Sequence, residues 1–170
     1  MKQLMEHLDS EKFHISAKYV DTLFSHATKG GGVTGTISTQ TKLERNKAFS
    51  SAFNFFLYAV ILGIRHNKQV AFLEKEKTEY HFQPIKESAP RHTLIPYILM
   101  ILLTQSDKGL IEVEQMNEED LEIFAKDLAR KMEAYANAGF GIITDYKAKN
   151  KDYFVNIDNF VNFLNDSKDS

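Results

Sequence analysis

The sequence predicts a mainly α-helical protein, a compact multi-helix domain built around one buried central helix. Apolar residues recur at intervals of three and four, capping residues precede several of these stretches, and glycines follow some of them. The 170 residues, 43% of them hydrophobic, fit a single domain spanning 1–170. Because the 13 phenylalanines carry no polar group, we expect most of their rings in the core.

The central helix is predicted to run from about Leu43 to Arg65. It is amphipathic at first, but from Ala52 onward it is apolar nearly all round. A helix that is apolar on every side is buried on every side. Gly63 indicates a close helix crossing near its end, and Asn67 is suited to stop it.

One further helix is predicted before the central helix in the chain, and another is predicted after it. Ser16 is suited to cap the first, and the glycines that begin at Gly30 end it. Thr93 is suited to cap the second, which runs to about Gln105 and is ended by Gly109. The shared face of the first helix consists of Val20, Leu23, Phe24 and Ala27.

A longer helix is predicted after Asn117, which is a suitable N-cap. The acidic residues that follow Asn117 favour the positive end of the helix dipole. Gly139 and Gly141 disturb its apolar pattern, so the chain beyond them either continues the helix or turns. A final short helix is predicted from about Asn156. The apolar residues of the long helix are Leu121, Phe124, Ala125, Leu128, Met132, Tyr135 and Ala136, and those of the final helix are Ile157, Phe160, Val161 and Leu164.

The segments between the helices are less regular. Val70 to Phe82 is either a small β-hairpin or an irregular stretch. Lys29 to Thr41 is predicted to be a flexible loop, because glycine, serine and threonine offer no apolar face to bury. Two prolines indicate a second loop at Gln83 to Arg91, and Asn165 to Ser170 are expected to fray.

No pattern for catalysis, metal binding or cofactor binding is found. The chain has no cysteine, which excludes disulfides and thiolate chemistry, and its six histidines show none of the common metal-binding spacings. Gly30, Gly32 and Gly35 match the dinucleotide-binding spacing, but a helix rather than a strand precedes them, which favours a flexible loop. We therefore predict no catalytic residue, no metal and no cofactor.

Two apolar runs raise the question of a membrane span. Phe55 to Ile64 and Leu94 to Leu103 contain ten residues each, whereas a spanning helix needs about 20. Both runs are therefore predicted to be fully buried core helices, with no membrane partner. Together with the absence of cysteine and of a secretory signal, this favours a cytoplasmic location.

Charge is unevenly distributed along the chain. Residues 1–92 carry a net charge of +4 and residues 93–170 a net charge of −6, within a total of −2. A cluster of cations at the ends of the central helix is a candidate phosphate-binding site for DNA or RNA. The alternative is that these cations simply complement helix dipoles. The cluster consists of Arg45, Lys47, Arg65, His66 and Lys68.

Two stretches carry a resemblance to a known group of proteins. They are FFLYAVILGIRHNKQ, from Phe55 to Gln69, and EAYANAGFGIITDY, from Glu133 to Tyr146. Together they resemble small accessory proteins encoded beside bacterial DNA phosphorothioation modification and restriction genes. The relatives have Leu-Glu where this chain has Phe140 and Gly141.

The resemblance implies a noncatalytic accessory protein of a DNA-modification or defence system, which binds DNA or a protein partner. It makes Arg65 and Lys68 the matching basic positions, and Asn137 and Gly139 the matching turn positions. Two alternatives stay open. One is a protein-interaction module unrelated to DNA, such as a homodimer that uses the phenylalanine-rich helix, and the other is an enzyme with a dispersed site.

Overall fold

The structure is a computed structural model that describes residues 2–27, 47–71, 77–82 and 94–166. Helices make up most of these residues. The mainly α prediction is confirmed. The elements are α1 (Lys2–Leu8), β1 (Phe13–Ser16), α2 (Val20–His26), α3 (Ala52–Arg65), β2 (Lys77–Phe82), α4 (Ile95–Thr104), α5 (Leu110–Glu114), α6 (Glu118–Lys149) and α7 (Asp158–Asp166).

The central helix of the prediction is α3, and none of its side chains is exposed. Its start differs from the prediction: Leu43 lies outside the described residues, and the helix begins at Ala52. Ser51 is the N-cap, because its hydroxyl accepts the N–H of Asn54 at 3.1 Å. The preceding residues cannot extend the helix, since Phe49 pairs instead with Ala27 at the end of α2.

The close helix crossing predicted at Gly63 is confirmed, and α6 is the partner helix. A side chain at Gly63 would overlap the backbone carbonyl of Tyr135, and one at Gly139 would overlap that of Ala59. The two contacts are reciprocal. Ala59 and Gly63 are four residues apart on α3, as are Tyr135 and Gly139 on α6, and this spacing is about one helical turn. Glycine at both positions therefore lets the two backbones approach more closely than side chains would permit.

The C-terminus of α3 ends as the sequence predicts. Asn67 adopts a positive φ of 48°, the left-handed conformation that asparagine tolerates better than most residues. Its N–H reaches the carbonyl of Ile64, and the N–H of Lys68 reaches that of Gly63 at 3.0 Å. These two bonds form a Schellman motif, which satisfies carbonyls that the helix leaves free.

The long helix α6 resolves the alternatives at Gly139 and Gly141 in favour of a continuous helix. Asn117 is its N-cap, as predicted, and accepts the N–H of Asp120 at 2.9 Å. The helix then continues for 32 residues through both glycines. Packing against α3 compensates the helix-weakening effect of the glycine at the crossing.

A small sheet is present, but it is not the local hairpin that the sequence suggested. The strand β2 pairs antiparallel with β1, with Phe13 opposite Phe82. The carboxylate of Glu133 on α6 accepts the backbone N–H of His14 at 2.7 Å and lies 3.0 Å from its ring Nδ1. This partly buried contact joins the sheet to α6.

Several boundaries differ from the prediction. Ser16 belongs to β1 and makes no side-chain cap, and a short 3₁₀ turn separates it from α2. The helix α4 ends at Thr104, and Gly109 is the N-cap of α5, an element that the sequence did not indicate. Neither α1 nor β1 was predicted either, because both are too short to show a periodic pattern.

The final helix α7 buries only part of the face predicted for it. Phe160 and Phe163 are buried, whereas Ile157 and Val161 are 49% and 60% exposed. Phe160 enters a cluster of aromatic rings that α2, α3 and α7 share. The rings within 6 Å of Phe160 are those of His26, Phe49, Phe55, Tyr58 and Phe154.

Some predicted segments fall beyond what the structure describes. The loops at residues 29–41 and 83–91 lie outside the described residues. Of the expected frayed end at 165–170, Asn165 and Asp166 belong to α7, and the last four residues lie outside the described part.

Candidate functional site

The outer side of α4 is exposed and apolar. Its inward side consists only of isoleucine and leucine, whereas its outward side presents Tyr97, Met100 and Ile101 to solvent. Tyr97 is 70% exposed, and the three residues lie within one turn of each other on the same side. The prediction that this run is fully buried is therefore wrong for half of the helix.

The short helix α5 continues this exposed surface. Leu110 is 43% exposed and Ile111 72% exposed, while Val113 anchors the helix to the core. A groove of about 280 Å³ separates the last turn of α4 from the beginning of α5. Its walls include Met100, Leu103 and Leu110. We call the exposed residues Leu94, Tyr97, Met100, Ile101, Leu110 and Ile111 the α4–α5 face.

The geometry of α5 is set by its N-terminus. Glu112 accepts the backbone N–H of Gly109 at 2.7 Å, which fixes the first turn. The hydroxyl oxygen of Ser106 lies 2.9 Å from the carbonyls of both Leu103 and Lys108, to either of which it can donate its one hydrogen, and thereby shapes the turn between the helices. The groove is therefore built by local hydrogen bonds rather than by a loose loop.

Six carboxylates lie between residues 107 and 120, in α5 and on either side of it along the chain. They are exposed, and within the described part of the chain none lies within ion-pair distance of a lysine or arginine. The nearby cations are Lys108, which lines the groove, and Lys131, which donates to the carbonyl of Gln105. The α5 side of the face therefore carries an excess of negative charge, which forms its charged border. The carboxylates are Asp107, Glu112, Glu114, Glu118, Glu119 and Asp120.

A sequence signal for this face exists. Within α4 the exposed positions include Pro96, Tyr97 and Thr104, which are less strictly apolar than isoleucine or leucine. Their spacing of seven residues from Tyr97 to Thr104 places them on one side of a helix. Reading the run only as ten apolar residues obscured that difference.

The predicted basic cluster is distributed over two sites. Lys47 lies before α3 and donates to the carbonyls of Phe24 and Ser25, at 2.6 and 3.0 Å, at the C-terminus of α2. It therefore places its positive charge at the C-terminal end of α2. Arg45 lies outside the described residues.

The other members lie at the far end of α3. Arg65 donates from Nη2 to the carbonyl of Asn165 near the end of α7, at 2.8 Å. His66 is the C-cap of α3, and burial, with the charges of Lys68 and Arg65, lowers its pKa. Lys68 is exposed. Fourteen helical residues, about 21 Å, separate this group from Lys47.

Lys47 and Arg65 thus contact helix C-termini, as the alternative interpretation of these cations expects. A third lysine behaves in the same way, since Lys131 donates to the carbonyl of Gln105 just after α4 at 2.9 Å. Lys47 and Arg65 lie at opposite ends of α3, whereas Lys47 and Lys147 both lie close to His26. Binding of DNA by the predicted cluster stays a prediction.

His26 lies in an unusual environment for a histidine. Its ring contacts Phe55 and Phe160 edge-on, and its Nε2 lies 3.4 Å from the amine of Lys147. Burial, followed by the positive charges of Lys147 and Lys47, lowers its pKa from 6.5 to about 4. The neutral ring accepts a hydrogen bond from Lys147, whereas a protonated ring would place two cations in contact.

This arrangement predicts acid sensitivity. In the unfolded chain His26 binds a proton as the pH falls through 6.5, but in the folded protein it does so only near 4. The folded state therefore loses stability across that window and gains nothing from His26 above it. Allowing for partial solvent access, we expect a loss of roughly 2 kcal/mol between pH 7 and pH 4.

Urea unfolding across this pH range measures the effect. The free energy of unfolding of the unmodified protein should decline more steeply than that of His26→Gln. His7→Gln, which changes a histidine of α1, should follow the unmodified protein. Parallel pH profiles for the unmodified protein and His26→Gln would contradict the prediction.

Among the described residues, no group of three or more histidine or acidic side chains is arranged to hold a metal ion. Within the same ranges, no helix combines the length and the apolar character that crossing a membrane requires.

Comparisons with models of protein families, with curated proteins and with solved structures found no match to this chain. The class of the protein is therefore defined by its fold and by the α4–α5 face. It is a mainly α protein with an exposed apolar helix surface.

Proposed function

We propose that the protein is a noncatalytic interaction domain that binds a protein partner through the α4–α5 face. The observation that supports this is the exposure of large apolar side chains on two adjacent helices beside a groove. Contiguous exposed apolar surface mostly marks sites of binding. Tyr97 and Met100 belong to the residue types that are enriched in the centres of protein interfaces.

The phenylalanine-rich helix offers less surface for this role. The side chains of α3 are at most partly exposed, whereas Tyr97 and Ile111 are 70% and 72% exposed.

The proposed setting is a bacterial DNA-modification or defence system in the cytoplasm. It rests on the resemblance of residues 55–69 and 133–146, which pack against each other where Gly63 and Gly139 cross. The segment that follows α3 is also held there, because Val70 donates to the carbonyl of Ala134 and accepts from Asn137. The resembling residues thus serve packing, and binding is assigned to a different surface.

Site-specific photo-crosslinking in the source cells tests the proposal. A photoreactive phenylalanine analogue at Ile101 or Ile111 should trap a defined protein, and the same group at Val161 on α7 should not. After purification of the trapped protein, Ile101→Asp and Ile111→Asp should each raise its Kd at least tenfold, or about 1.4 kcal/mol.

Val161→Asp is the matched control, because Val161 is also an exposed apolar residue on a helix. It should change the Kd less than twofold, and circular dichroism should show all three variants folded. Adducts that form equally from all positions, or a Kd that the Ile101 and Ile111 variants leave unchanged, would overturn the proposal.

A further inference from the structure

Resting on the proposed function, we infer that the segment bound by the α4–α5 face is an amphipathic helix of the partner protein, with lysine or arginine beside its apolar stripe. Three properties of the face select this occupant: the kind of backbone it presents, its shape and its charged border.

The face offers side chains and no free strand edge. Both elements are helices, whose unpaired N–H and C=O groups lie at their ends and along the helix axis rather than in a row on one side, and Gly109, between them, is paired with Glu112. A partner strand would find no ladder of unpaired N–H and C=O groups to extend. A helix satisfies its own backbone and needs only an apolar surface.

The shape of the face also suits a helix. The side chains of Tyr97, Met100 and Ile101 form a ridge along α4, and the groove beside Leu110 runs between α4 and α5. Ridges of one helix pack into the grooves of another through residues three and four apart. A partner helix that places apolar residues at such intervals would fill the groove and cover the ridge.

The border of the face determines the charge of the partner. The six exposed carboxylates outnumber the nearby cations, which are Lys108 in the groove and Lys131 at the carbonyl of Gln105, so the α5 side carries net negative charge. Lysine or arginine beside the apolar stripe of the partner would meet these carboxylates. Such complementarity accelerates association and disfavours partners of the wrong charge.

The same border disfavours two other occupants. A second copy of the chain, docked face to face by twofold symmetry, would bring the acidic segment that includes Glu114 and Glu119 towards an equally acidic surface. Nucleic acid would bring phosphates to the same carboxylates. Both arrangements bring an excess of like charges together.

A model helix provides the probe. The probe is a fluorescein-labelled 14-residue helical peptide with leucine along one side and lysine along the other. It should bind at least tenfold more tightly than either of two control peptides, its relatives in composition or pattern. One relative has the same composition in a shuffled order without an apolar stripe, and the other has glutamate in place of lysine. Fluorescence anisotropy at low and high salt measures the three affinities, and higher salt should weaken the first.

Variants locate the binding. Ile101→Ser and Ile111→Ser should raise the Kd of the leucine–lysine peptide about tenfold, and Val161→Ser less than twofold. The double variant Glu114→Gln/Glu119→Gln should raise the Kd about fivefold at low salt. Asp145→Asn/Asp152→Asn, which changes the net charge equally but lies toward the other end of α6 and beyond it, should have little effect.

The outcomes separate the inference from the proposed function. Equal binding of the glutamate peptide, or equal effects of the two charge variants, overturns the inference but leaves a partner trapped from Ile101 as valid support for the proposed function. A dimer that Ile101→Ser dissociates in sedimentation identifies a second copy as the occupant and also overturns the inference. If neither peptide binding nor crosslinking responds to the face, both fail.

Discussion

Replacing Gly63 or Gly139 with alanine is expected to lower the free energy of unfolding by about 2–4 kcal/mol. Each added methyl group would overlap a backbone carbonyl of the opposite helix, and the carbonyl carbons would lie 2.8 and 2.7 Å from it. Backbone atoms cannot rotate away as a side chain can, so α3 and α6 would have to separate. Alanine would gain about 1 kcal/mol of helix propensity, which is smaller than the cost of separation.

Gly141 provides the matched control on the same helix. A methyl group there would lie 3.0 Å from the hydroxyl oxygen of Tyr19, at the far end of a side chain that can shift. Gly141→Ala should therefore change stability by less than about 1 kcal/mol. Urea unfolding of the three variants measures the difference, and equal stability of Gly63→Ala and Gly141→Ala would show that the crossing is not closely packed.

The second large effect is expected at Phe160. Its ring is 3% exposed and lies 4.6 Å from the ring centroid of Phe154 and 5.0 Å from that of Phe49. Phe160→Ala would leave a cavity in this cluster and should cost about 3–5 kcal/mol. The melting temperature should fall by roughly 10 °C.

Val161 is the adjacent residue of α7 and is 60% exposed. Val161→Ala removes little buried area and slightly raises helix propensity, so we expect a change below about 0.5 kcal/mol. Thermal unfolding of the pair decides which face of α7 is buried. A cost at Val161 equal to that at Phe160 would show that both of these residues of the predicted face are buried.

The environment of Phe160 also links stability to pH. His26 packs edge-on against the same ring and is buried as a neutral side chain. Removal of the Phe160 ring would admit water to His26, which should bring its pKa closer to 6.5. The acid sensitivity of Phe160→Ala should therefore be smaller than that of the unmodified protein.

Features that depend on neighbouring residues were predictable from the sequence. Asn117 and Asn67 were identified as helix boundaries because capping and left-handed conformations depend on a few local hydrogen bonds and dihedral angles. Gly63 indicated a crossing because a glycine weakens a helix. Its presence is favourable where the backbone of another helix packs into the space that a side chain would occupy. Each of these inferences needed only a short window of sequence.

The candidate site was not predictable in the same way. The basic cluster was chosen because its members flank one helix, yet Lys47 and Arg65 contact the ends of two different helices. The α4–α5 face was missed because Leu94 to Leu103 reads as a uniformly apolar run. Exposure depends on which elements cover a helix, and that is a property of residues distant in the sequence.

The sequence by itself determined the helical character of the chain, the buried nature of α3, and the caps of its best-defined helices, because periodicity, capping and backbone preference act locally. Tertiary structure alone decided that α6 continues through Gly139, that β2 pairs with β1, and that no element among the described residues covers the outward side of α4. Each depends on contacts between segments far apart in the chain, whose geometry a local pattern does not contain.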